Sequence, residues 1–134
     1  EMKRVVNTIL QLFDYLPQSS IVIAATNQKE MLDEALLRRF DFSIGFNLPT
    51  EKEIKDLISL TLKNGNFTFD NKAKANKVIK SSIGLSYHSI QKTLVTAIKR
   101  SLFAIAKPEL ILSAKIDTTI WQNLIEIEKK SMNI

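Results

Sequence analysis

The sequence predicts an α/β segment over residues 1–49 followed by an all-α domain of four helices over residues 50–134. Three observations carry that reading. A short, wholly apolar run, Ile21-Val22-Ile23-Ala24-Ala25, lies between two helical patterns. Such a run fits a strand buried on both faces, as in a parallel sheet with helices on each side. From Thr50 onward, helix caps and breakers recur with apolar stripes at helical spacing between them. Charge divides at the same place. Residues 1–49 set Lys3, Arg4, Lys29, Arg38 and Arg39 against Glu1, Asp14, Glu30, Asp33, Glu34 and Asp41, a net of −1. The remainder carries +6 of the total +5, and no acid occurs from Lys72 to Lys107.

The first helix spans residues 2–16, where Val5, Val6, Ile9, Leu10, Phe13 and Leu16 share one face. Pro17 ends it, because the residue before a proline is driven from the helical region. After the strand of residues 21–25 comes a short helix over residues 33–37. Residues 42–48 alternate apolar with small or polar side chains and read as a second strand, closed by Pro49. Thr50 and Glu53 form a capping box for a helix to about Leu62, with Ile54, Leu57, Ile58 and Leu62 inward. Asn64-Gly65-Asn66 interrupts it. Asp70 is positioned to cap the next helix, which ends near Ser82, and Gly84 suits the left-handed position just beyond. Ser86 caps a third, with Ile90, Leu94, Ile98, Leu102 and Ile105 on one stripe, ended by Lys107-Pro108. Asp117 caps a fourth, with Ile120, Trp121, Leu124 and Ile127 inward.

Composition narrows the function. With 45% hydrophobic and 25% charged residues, the chain is too apolar for a disordered protein. The absence of cysteine excludes disulfides and thiolate chemistry, and one histidine is too few for a His-based metal site. The longest apolar runs fall far short of the ~18 residues of a membrane span. No basic-then-apolar leader marks the chain for export, so a cytoplasmic protein without a membrane partner is expected. The chain opens at Glu1 inside a helical pattern, as a piece of a larger protein would. The three glycines, Gly45, Gly65 and Gly84, form no phosphate loop, and no zinc-protease or nucleophile-elbow motif is present.

What the sequence does contain is Ile21-Val22-Ile23-Ala24-Ala25-Thr26-Asn27, then Leu32-Asp33-Glu34-Ala35-Leu36-Leu37-Arg38-Arg39-Phe40-Asp41, then Gly84-Leu85-Ser86 ahead of a long helix. This combination closely resembles the second half of an AAA+ ATPase module. The resemblance implies the end of a parallel-sheet P-loop core followed by a helical lid, with the Walker A and Walker B motifs upstream. It implies ATP and Mg²⁺ in the full-length protein, a homo-oligomeric ring (commonly a hexamer) and a protein client. It also implies that this stretch alone is not catalytic and binds no cofactor tightly.

The resemblance assigns roles to particular residues. Asn27 matches sensor 1, whose amide orients the attacking water and bonds the γ-phosphate without adding charge. Without the resemblance, the turn residue after a strand is the favoured reading of Asn27. Arg38 and Arg39 match the arginine fingers that reach a neighbouring subunit's nucleotide, a contribution of ~10³–10⁵ in rate. Many members space two fingers three residues apart, whereas these two are adjacent. Neighbouring helical side chains diverge by about 100°, so both converge only if the helix ends between them, and Arg38 is favoured. Gly84, Ser86, Tyr87 and His88 match the turn that borders the nucleotide base. Tyr87 and His88 are bulkier than the small residues usual there, which leaves either stacking of the base on them or a different site. Arg100 lies too far along its helix to match a sensor 2 arginine.

Two other readings remain at this stage. One is a non-catalytic adaptor or assembly module of the same fold. The other is a basic helical nucleic-acid-binding domain using Lys72, Lys74, Lys77, Lys80, Lys92, Lys99, Arg100 and Lys107. Aromatic residues for base stacking are not interleaved with that stripe, and Lys74, Lys77 and Lys80 also fit a solvated helix face.

Overall fold

The structure, a computed structural model, describes residues 1–28, 30 and 32–133. The chain divides into two compact units, Glu1–Gly45 and Phe46–Ile134.

In the first unit, α1 (Met2–Tyr15) ends where Leu16 turns extended ahead of Pro17. The second helix, α2 (Glu34–Leu37), starts at Asp33, whose carboxylate accepts the Ala35 N–H at 3.0 Å. Val6 and Leu36 are buried, and the Phe13 and Phe40 rings meet edge to face at 5.5 Å.

The two strands expected in this half are absent. Neither residues 21–25 nor residues 42–48 join a sheet among the described residues, and Ile21 and Ile23 are 88% and 89% exposed. The reason is physical. A β-branched run supplies a preference for extended backbone, but a strand exists only when another strand takes its N–H and C=O groups. These two runs do not pair with each other, and no third described segment pairs with either.

The second unit holds α3 (Glu51–Gly65), α4 (Lys72–Ser81), α5 (Tyr87–Phe103) and α6 (Thr118–Met132). It is not wholly helical as expected. Two short strands, β1 (Thr68–Phe69) and β2 (Lys115–Ile116), pair in parallel with Thr68 opposite Lys115 and Phe69 opposite Ile116. A 3₁₀ segment, Pro108–Ser113, precedes β2. The long connection after α5 brings β2 back beside β1, which is what a parallel pair requires. Helix α5 ends at Phe103 rather than at Lys107-Pro108, with Ala104 as its cap.

Caps set these boundaries. Thr50 and Glu53 form the full capping box, with the Thr50 N–H donating to Glu53 Oε2 at 2.8 Å. Asn71, not Asp70, caps α4, accepting the Lys74 N–H at 3.0 Å. Asp70 is already engaged across the fold, where its Oδ1 accepts the Thr118 N–H at 3.1 Å and the Thr118 hydroxyl. Ser86 caps α5 and Asp117 caps α6.

The core of this unit gathers Ile54 and Ile58 of α3, Val78 and Ile79 of α4, Ile90, Leu94 and Ile98 of α5, and Trp121 and Ile125 of α6. Ile125 is buried while Ile127 faces solvent, which corrects the expected phase of α6. Trp121 anchors the helix, and Thr118 and Ile125 follow it inward at three- and four-residue spacing. The Trp121 ring stacks on Phe69 at 5.2 Å, and its Nε1–H donates to Thr93 Oγ1 at 3.4 Å.

Candidate functional site

Asn27 lies at a bend directly after the apolar run, and it is exposed. The bend is closed by its neighbour, because the Gln28 N–H donates to Thr26 Oγ1 at 3.0 Å. A threonine hydroxyl holding the backbone two residues on is a common turn device. The Asn27 side chain carries one donor group and one acceptor group.

The two arginines separate. Helix α2 stops at Leu37, so Arg38 is its cap and Arg39 lies in the following turn, where the Arg39 N–H donates to the Leu36 carbonyl at 3.1 Å. Arg39 Nη1 donates to Asp14 Oδ1 at 3.0 Å and so ties the turn to the end of α1. Phe13 and Phe40, each next in sequence to that pair, reinforce the same junction. Arg38 takes a different direction. Its side chain is 81% exposed and, among the described residues, its one ion-pair contact is Glu34, at 3.6 Å, one turn back on α2. A 3.6 Å contact between two solvated groups holds an arginine weakly, at about 1 kcal/mol or less. Arg38 is therefore the less engaged of the two guanidinium groups, and Arg39 the one tied to α1. Nothing in the sequence pattern singled out Asp14 as its partner, because the two lie 25 residues apart.

In the second unit, the turn between α4 and α5 is built around Gly84 and Leu85. Gly84 has φ +97°, a conformation that side chains with a Cβ rarely adopt. That reversal sends Leu85 into the core, where it is buried, and the Ser82 hydroxyl donates to the Ile79 carbonyl beneath it at 2.7 Å. Ser86 is occupied by its capping role, accepting the Ser89 N–H at 3.1 Å. Ser89 in turn donates to Glu128, which also meets Lys92. Tyr87 and His88 occupy the exposed first turn of α5. The Tyr87 hydroxyl sits beside the Glu53 carboxylate. Partial desolvation, followed by the charge and hydrogen bonding of Glu53, raises the tyrosine above its ordinary pKa. Glu53 itself is held below the usual carboxylate range, first by the Thr50 N–H and then by the Thr50 hydroxyl. Sequence reasoning read Glu53 only as a cap. Its second contact is invisible in the sequence because α3 and α5 meet only in the fold.

The basic stripe of the second unit is exposed at Lys72, Lys77, Lys80, Lys92, Lys99, Arg100 and Lys107, and Lys74 is partly covered. Lys74 Nζ donates to Thr119 Oγ1 at 2.6 Å and so bridges α4 to α6.

Among the described residues, no group of three or more His, Cys, Asp or Glu side chains is placed to hold a metal ion, and no helix is long and apolar enough to cross a membrane. An amide at Asn27 and guanidinium groups at Arg38 and Arg39 suit contact with phosphate oxygens. That donor set does not fit a magnesium ion, which needs oxygen ligands such as carboxylates.

Residues 1–48 match the model of the ATPase family associated with various cellular activities (AAA). An AAA family ATPase of Sinorhizobium fredii, y4kL, is 34% identical over 99 residues, covering 74% of this chain and 29% of that protein. The ATP-dependent zinc metalloprotease FtsH of Mycoplasmopsis pulmonis is 30% identical over 98% of this chain and 18% of its own length. The ribosome biogenesis ATPase RIX7 of Saccharomyces cerevisiae is 28% identical over 85% of this chain and 15% of its own length. The chain thus spans less than a third of each of these relatives. No solved structure matches it. These similarities support membership of the AAA+ superfamily of ATPases.

Proposed function

We propose that the chain is the C-terminal part of an AAA+ ATPase module. Residues 1–49 belong to the end of the α/β core and residues 50–134 form the lid. In the whole protein, ATP hydrolysis with Mg²⁺ in a homo-oligomeric ring drives remodelling of a client. The phosphate loop and metal-binding carboxylates come from chain outside these residues, and this stretch alone does not turn over ATP. Asn27 offers its amide to a water or phosphate oxygen in its own subunit. Arg38 offers its guanidinium to the neighbouring subunit, and Arg39 supports it from the Asp14 contact. Gly84, Ser86, Tyr87 and His88 border the nucleotide base.

The observation that carries this reading is the asymmetry of the arginine pair. Arg39 is engaged at 3.0 Å, whereas Arg38 projects from the end of α2 with its side chain 81% exposed. A rigid, permanently charged fork in that position is matched to phosphate. The test is Arg38→Ala in the full-length protein. ATP binding is retained and hydrolysis is lost, as measured by nucleotide titration and steady-state turnover. Unchanged turnover removes Arg38 from the active site.

A further inference from the structure

An open groove of ≈560 Å³ runs between α4 and α6. Its size falls within the ~300–1,000 Å³ of ordinary ligand sites. Beneath it lie Val78 and Ile125, both sealed in the core, so the surface it presents comes from Ala73, the lysine stems and polar side chains. The rim is cationic. Lys74 and Lys77 stand along α4 and Lys129 stands on α6, against a single acid, Glu126. Glu126 is partly occupied, since its Oε1 accepts the Gln122 side-chain N–H at 3.0 Å. Lys74 is held in place by its bond to Thr119 at 2.6 Å. No aromatic side chain lines the groove.

We propose that this groove is a docking site for an acidic peptide segment of a partner protein. Charge selects that occupant: three lysines line the groove against one acid, and the helix that carries two of them has no acid of its own. The Asn71 and Gln122 amides suit peptide backbone. A single-stranded nucleic acid would find the charge but no stacking platform, and base stacking supplies ~1–3 kcal/mol per base in such complexes.

The test uses the full chain and a fluorescein-labelled glutamate-rich peptide, read by anisotropy. Its glutamine-for-glutamate analogue and a labelled single-stranded DNA oligonucleotide are the comparison probes. The acidic peptide binds saturably, and the affinity falls as salt rises. Lys77→Glu and Lys129→Glu each weaken it by roughly fivefold, the scale of one rim charge. Lys99→Glu, which makes the same charge change on α5 outside the groove, leaves it within about twofold. Tryptophan emission from Trp121 checks that each variant is folded. Three results overturn the proposal: equal binding of the glutamine analogue, equal loss in Lys99→Glu, or tighter binding of the oligonucleotide at the same ionic strength.

Discussion

The Asp70 carboxylate accepts both the backbone N–H and the hydroxyl of Thr118, a residue 48 positions away. The contact fixes the start of α6 against the end of β1, and the Asp70 N–H closes the same junction by donating to the Ile116 carbonyl at 3.0 Å. Burial works against ionisation of Asp70. The hydrogen bonds from Thr118 and the Asn71 N–H, together with the charge of Lys74, outweigh it and hold the carboxyl below its ordinary 3.8. A carboxyl depressed in the folded state stabilises the fold above its unfolded pKa, and that contribution is lost as pH falls through the folded value. Asp70→Ala is expected to destabilise the helical unit by about 1–2 kcal/mol near neutral pH. It should also remove part of the acid sensitivity that the native chain shows below pH ~4. Urea midpoints followed by Trp121 emission at neutral and acid pH measure both effects. A variant with the native midpoint at neutral pH would deny the junction its role.

The Phe69–Trp121 stack gives a second, spectroscopic prediction. β1 is only two residues long, so its ladder contributes little, and its hold on the fold comes from the Phe69 ring lying on the indole. Phe69→Ala removes a partly buried ring and admits water beside the protein's single tryptophan. The expected loss is about 2–3 kcal/mol, at the low end for a phenylalanine truncation because Phe69 is not fully buried. The emission maximum should shift to the red. A native spectrum would mean that Trp121 is shielded without Phe69.

How much of this was legible depended on whether the cause was local. The capping box at Thr50, the caps at Ser86 and Asp117 and the positive φ at Gly84 were all readable, because each is decided within a few residues. The cap of α4 was misassigned by one position because Asp70 and Asn71 are equally able to cap. Only a tertiary contact, the distant Thr118, separates them. The β1–β2 pair was missed for the same reason, since two residues carry no periodicity. The strand reading of residues 21–25 failed in the opposite direction. There the local signal was strong and the partner that makes a strand was absent among the described residues. At the candidate site, the types and spacing of Asn27 and Arg38 could be read. The sequence also favoured Arg38 over Arg39, but the contact with Asp14 that separates their surroundings could not be read, because its two partners lie 25 residues apart.

The three glycines should respond differently to alanine. Gly84 has φ +97°, so a Cβ there is strained even though space is open around it. Gly84→Ala is expected to cost about 1–2 kcal/mol. Gly65 is constrained by a neighbour instead, because a Cβ would run into the Phe67 ring. Gly65→Ala must push that ring, which packs against the core, and destabilisation of about 1–3 kcal/mol follows. Gly45 has neither restriction, and Gly45→Ala should change stability by less than about 1 kcal/mol. Thermal or urea midpoints for the three variants settle the order. A Gly45→Ala variant that loses as much as Gly84→Ala would contradict the conformational argument.

The geometry of the arginine pair makes a quantitative prediction for the whole protein. Arg39 is braced by Asp14 at 3.0 Å in a contact half open to solvent, so removing it loosens the α1–α2 junction by about 1 kcal/mol or less. Among the described residues, the one ion-pair partner of Arg38 is Glu34 at 3.6 Å. If Arg38 serves a neighbouring nucleotide, Arg38→Ala lowers turnover by ~10³-fold or more, while Arg39→Ala lowers it by about tenfold or less, the indirect effect of a displaced turn. Arg38→Lys should not restore the rate, because a lysine presents a point charge rather than a planar fork. Asp14→Ala should resemble Arg39→Ala, since both break the same brace. Steady-state ATP turnover of the four variants, each with its nucleotide affinity measured separately, decides the matter. Equal losses from Arg38→Ala and Arg39→Ala would show that the two act as a pair, and a larger loss from Arg39→Ala would reverse their assignment.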